Sequence, residues 1–179
     1  MTDPDTARRF ERLVLPHMNS AFNVARWLTH NDQDAQDVVQ EAYLRAFRFF
    51  GGFRGEDARA WLLSIVRNTF YTWHQQNRGH AAETTEFEED MHSLQTSIAE
   101  HDDSPEAMLI RSQSQKRVHK ALRALRLEYR EVIVLRELEE LSYKEIADIV
   151  GIPMGTVMSR LGRGRQLLAA LLAPTDQEA

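Results

Sequence analysis

The 179-residue sequence contains no cysteine. That excludes a disulfide framework, a Cys-ligated zinc site and thiol catalysis, and it suits a reducing cytoplasm. No apolar run approaches the roughly 20 residues that a membrane-spanning helix needs. The opening MTDPDTARRFERL lacks the apolar stretch of a secretory signal. The seven histidines are scattered, with no His-x-x-x-His spacing, and no Ser or Asp constellation assembles a nucleophile. These absences predict a cytoplasmic protein without membrane insertion, without a bound metal or cofactor, and without catalysis of its own.

Charge is also unevenly missing. Residues 79–110 hold no Lys or Arg but carry nine acids: Glu83, Glu86, Glu88, Glu89, Asp90, Glu100, Asp102, Asp103 and Glu106. Residues 111–170 hold twelve basic against seven acidic residues, and residues 1–78 are nearly neutral. The formal net charge of −5 therefore conceals a basic C-terminal part. Such asymmetry suggests two globular parts joined by an acidic linker, and a local basic face matters more for nucleic-acid binding than the global balance.

Apolar periodicity is helical throughout, which predicts an all-α fold. Residues 6–29 keep a helical period through Phe10, Val14, Met18, Ala21, Ala25 and Leu28, with a break expected at Pro16. Residues 32–50 form a second pattern with Val38, Val39, Ala42, Ala46 and Phe47 inward; Asp32 and Asp34 favour its positive end. Three glycines within residues 51–55 mark a loop. Residues 56–76 carry the stripe Trp61, Leu62, Ile65, Val66, Thr69 and Phe70, with Arg, Asn, His and aromatics interleaved outside it. That mixture can stack on unpaired bases and hold phosphates. Ser104-Pro105 reads as the start of a helix reaching about Arg126, with Leu109, Val118, Leu122 and Leu125 inward. Residues 128–140 give another, with Val132, Ile133, Leu135 and Leu138 inward.

The stretch from Leu141 to Leu168 is the most structured in its signals. Ser142 and Glu145 have capping-box spacing. Gly151 suits a left-handed helix stop, and Ile152-Pro153 turns the chain into a new helix. Val157, Leu161, Gly164 and Leu168 share one face of that helix, leaving Ser159, Arg160, Arg163 and Arg165 mostly outward. This is the layout of a helix-turn-helix, whose second helix enters the DNA major groove. An ordinary helical hairpin with a solvated basic face fits the same pattern.

Three segments together resemble the extracytoplasmic-function (ECF) class of bacterial RNA polymerase sigma factors: DAQDVVQEAYLRAFR, FRGEDARAWLLSIVRNTFYTW and LSYKEIADIVGIPMGTVMSRL. The resemblance implies sigma domain 2 over residues 1–80, a flexible acidic linker over 81–107 and sigma domain 4 over 108–174. It implies that Asp37, Gln40, Glu41 and Arg45 face the clamp helices of the largest subunit of core RNA polymerase. It assigns Arg54, Asn68, Trp73, His74 and Arg78 to the −10 element, where a base is flipped from the melted strand. It assigns Thr156, Ser159, Arg160, Arg163 and Arg165 to the −35 duplex. It further implies promoter DNA as a partner, control by an anti-sigma factor, and no cofactor. The chain departs from the family where Met158 stands in place of the usual Lys or Arg, and where Gly162 replaces a bulkier residue. The tail WHQQNR is also less basic than is usual, which fits a subunit that depends on polymerase to hold it on DNA. A decoy that binds an anti-sigma factor but not DNA is the alternative; it would have no need of Asn68, Arg160 or Arg163.

Overall fold

A computed structural model describes residues 3–77 and 104–174; Arg78 and residues 81–103 of the expected linker lie outside them. Among the described residues the regular structure is all helical. The first half contains α1 (Pro4–Leu13), α2 (Met18–Thr29), α3 (Asp32–Phe49) and α4 (Ala58–Gln76). The second contains α5 (Pro105–Ala124), α6 (Leu127–Ile133), α7 (Tyr143–Val150) and α8 (Met154–Leu172).

Local chemistry sets most boundaries. A 3-10 turn at Leu15–His17 contains Pro16 and separates α1 from α2, as the missing amide of proline requires. Asn31 caps α3 by accepting from the Asp34 amide at 2.9 Å, and Asp57 caps α4 by accepting from Ala60 at 3.0 Å. Ser104 accepts from Ala107 at 3.2 Å, with Pro105 at the first helical position. The Ser142–Glu145 capping box closes in both directions at 3.1 Å. Gly151 ends α7 with φ of 75°, where a side chain would be strained.

Four expectations about facing are overturned. Phe47 packs its ring edge against Phe10 yet stays partly exposed on α3. Leu109 and Val118 are exposed on α5, whose buried residues, Ala121 and Leu122, lie near its C-terminal end. Residues 128–140 do not form one α-helix. After α6 the chain widens into a π turn at Val134–Leu138, with the Glu139 amide bonding back to the Val134 carbonyl at 3.1 Å. This extra residue per turn rotates the following side chains. Leu138 ends up 43% exposed, and Glu139 is buried at 6%.

The two halves pack against each other through α4 on α7 and α2 on α6, and one continuous apolar core runs through both. Polar groups fix their mutual register. The Arg59 guanidinium donates at 2.6 Å to both the carboxylate and the backbone carbonyl of Glu139. Arg67 donates to both oxygens of Glu131 at 3.1 and 3.3 Å, and the Tyr71 hydroxyl adds a third bond at 3.2 Å. Glu131 is only 2% exposed. Burial, reinforced by the Glu131 carboxylate, pushes the Tyr71 phenol up to about 12, which keeps it a donor. The Trp27 ring lies 4.5 Å from His119 across the same boundary.

His30 ends α2 with φ of 56°, and its buried Nε2 has no hydrogen-bond partner. Burial first, then Arg130 of α6 and Arg123 of α5, depress its imidazole to about 3 from 6.5. The structure thus holds this ring neutral.

Two predictions follow from this packing. A Cβ at Gly164 would sit 2.8 Å from Ile133 Cδ1 and 3.3 Å from Tyr129 Cβ, whereas one at Gly162 meets nothing within 4 Å. Gly164→Val should therefore lower unfolding stability by about 1–3 kcal/mol through overpacking. Gly162→Ala should be neutral or add up to about 1 kcal/mol from helix propensity; urea titration separates the two. For His30, the unfolded chain binds more protons below pH 6.5, so stability from this site is complete above 6.5 and lost as pH falls toward 3. The loss is about 1.4 kcal/mol per pH unit. His30→Asn, a residue that tolerates the left-handed backbone, should remove that part of the slope when wild type and variant are unfolded at pH 7 and pH 5.

Candidate nucleic-acid and polymerase interface

Three helix faces left open by the packing carry the residues named from sequence, apart from Arg78, which lies outside the described residues. The first is the outer side of α3. Its inner side is fixed by Ala35, Val38, Val39, Ala42 and Ala46, which at 3.6 residues per turn leaves Asp37, Gln40, Glu41 and Arg45 outside. The first three are exposed, and Arg45 is half-buried against Glu41, with its Nε donating at 2.9 Å. Sequence reasoning missed Leu44, which stands 60% exposed among these polar groups. Its position between Gln40 and Arg48 on the helix face was the available signal.

The second face belongs to α4 and the loop before it. A 3-10 turn at Phe50–Gly52 leads into Phe53, which stacks on Phe50 with ring centres 5.7 Å apart and leans on Trp61 at 4.9 Å. This aromatic anchor holds the loop while leaving Arg54 exposed, its guanidinium donating to the Gly51 carbonyl at 3.1 Å. Asn68 is exposed on α4. Trp73 and His74 are half-buried beside Phe70, with the His74 ring stacked 5.5 Å from it. Both therefore present one edge outward. Three further α4 side chains, Arg59, Arg67 and Tyr71, are bonded by Glu139 and Glu131 of the second half of the chain. No local pattern announced that, because their partners lie 60 to 80 residues away in sequence.

The third face is the outside of α8. Val157, Leu161 and Gly164 are buried against α6 and α7. Ser159 and Arg163 are exposed, with Thr156 and Arg160 half-exposed. The Ser159 hydroxyl donates to the Thr156 carbonyl at 3.1 Å. Arg160 and Arg163 make no hydrogen bond or ion pair among the described residues. Arg165 differs: its guanidinium donates to Glu137 at 2.9 and 2.6 Å. That bond raises its already high pKa and directs the side chain back toward the π turn. Met154 and Met158 are also exposed here. Free backbone amides at the α8 start and two unpaired guanidiniums make this end of the helix electropositive.

A short capped helix, a glycine stop and a longer cationic helix, all seated on a helical domain, define a DNA-binding protein of the helix-turn-helix type. Residues 13–80 match the family Sigma-70 region 2, and residues 115–168 match Sigma-70, region 4. The RNA polymerase sigma-H factor of Pseudomonas aeruginosa is 36% identical, over 96% of this chain and 90% of that one. The ECF RNA polymerase sigma-E factor of Haemophilus influenzae is 32% identical, over 93% and 89%. A solved structure of the sigma factor RpoE with the anti-sigma factor NepR, from Bartonella quintana, superimposes with a TM-score of 0.70. It is 26% identical over 92% of this chain and 97% of that chain. The chain belongs to the ECF class of RNA polymerase sigma factors.

Proposed function

We propose that this chain binds core RNA polymerase and directs it to promoters with a −35 and a −10 element, without catalysing a reaction itself. Domain 2 would span residues 1–80 and domain 4 residues 108–174, joined by the acidic stretch 81–107, and the protein would work in the cytoplasm. The observation that carries this reading is the exposure of three separate motif faces on one folded chain. On α3, Asp37, Gln40, Glu41 and Arg45 offer a charged rim around the apolar Leu44, a combination suited to register and affinity against helical clamp residues. On α4 and its loop, Arg54, Asn68, Trp73 and His74 meet the melted −10 strand, trapping a flipped base whose unstacking costs a few kcal/mol. On α8, Thr156, Ser159, Arg160 and Arg163 take the −35 duplex, some on phosphates and some on base edges. Arg165 joins them only after leaving Glu137. The similarity to a sigma factor solved with its anti-sigma factor supports control of this chain by such a partner. Unpaired Arg160 and Arg163 and exposed Asn68 favour a DNA-reading factor over a decoy.

Purified protein with core polymerase should start RNA synthesis at a two-element promoter selected from a random library, and neither component alone should. Absence of transcripts from every selected promoter would count against the reading. Asp37→Arg should weaken holoenzyme assembly at least tenfold, seen as a loss of co-elution with core polymerase, while the unfolding curve stays unchanged.

A further inference from the structure

We propose that Met158 is a specificity residue that recognises the methyl group of a thymine in the −35 duplex. This rests on α8 being the −35-reading helix. Met158 is 52% exposed, and Met154, one turn earlier, is 46% exposed. Neither belongs to the buried side of α8 formed by Val157, Leu161 and Gly164. The two form an apolar ridge along one flank of the outer face, while Thr156, Arg160 and Arg163 line the other flank.

Two glycines border the ridge. An added Cβ at Gly155 or Gly162 would meet nothing within 4 Å. Their missing side chains lower the surface beside Met158, and Arg165, seven residues on along the same flank, is held by Glu137, which leaves the thioether as the apolar group that projects there. The cations opposite supply attraction to phosphate without sequence content. Met158 cannot donate a hydrogen bond, so it cannot read guanine as Lys or Arg does. Among the base-edge groups of the major groove, the thymine methyl is the apolar one. A flexible, polarizable thioether is well suited to cover it.

The test uses reconstituted holoenzyme on a promoter selected from a randomised −35 library. Each thymine of the selected −35 element is replaced in turn by deoxyuridine, which removes only the methyl. With the natural chain, one such replacement should lower open-complex formation about fourfold, the equivalent of ~0.8 kcal/mol for one buried methyl-sized group. With Met158→Ala the same replacement should have no effect, and with Met158→Leu the penalty should persist. This double-mutant cycle isolates the contact from any general weakening. Equal penalties in the natural chain and Met158→Ala, no penalty anywhere, or a selected −35 element without thymine would each overturn the assignment while leaving the sigma reading intact. Failure to transcribe from any selected promoter would remove both.

Discussion

Glu131 is the group around which the two halves are arranged. Its carboxylate is buried on α6, yet the three hydrogen bonds that satisfy it come from two residues of α4 in the other half, Arg67 and Tyr71. Arg130 beside it is also buried, and burial brings its guanidinium down to about 10 while leaving it charged at neutral pH. Removing one partner of such a pair costs about 3–5 kcal/mol, because a charge is left stranded. Separating the intact halves is different, since water can take over both partners. The ion pairs therefore add little to the affinity between halves and a great deal to the uniqueness of their arrangement.

That arrangement divides α4 between two duties. Arg59, Arg67 and Tyr71 are held by the second half. Asn68 stays exposed, as does the outer face of α8. The fold thus uses some arginines to lock helices together and leaves others, such as Arg160 and Arg163, without a partner among the described residues. Composition cannot tell these classes apart.

Much of the fold was legible because it is written locally. Capping at Ser104 and Ser142, the break at Pro16 and the stop at Gly151 each depend on residues within a turn of one another, so sequence spacing contains them. The buried stripes of α4 and α8 were readable for the same reason. The motif faces of α3 and α8 followed once those stripes were known. What was not legible depends on distant partners. Leu109 and Val118 keep a helical period but stay exposed among the described residues. Leu138 and Glu139 exchange places through a hydrogen-bonding pattern that periodicity assumes away. Arg59 and Arg67 look like solvated helix residues until the second half supplies Glu139 and Glu131. Arg165 was grouped with the outward cations, and its bond to Glu137 arises only from how the π turn approaches α8.

The π turn at Val134–Leu138 also sets how this chain can vary in length. Its wider loop stores one residue more than an α-helix would need. Deleting a residue there would restore regular geometry and leave the downstream side chains facing nearly the same way, because the wider turn already absorbs the extra turn of about 100°. Glu139 would keep its place against Arg59, and α7 would present the same side to α4. The segment linking α6 to α7 is therefore a slack turn: a variant one residue shorter there could keep both its helix-turn-helix and its seat on the first half of the chain.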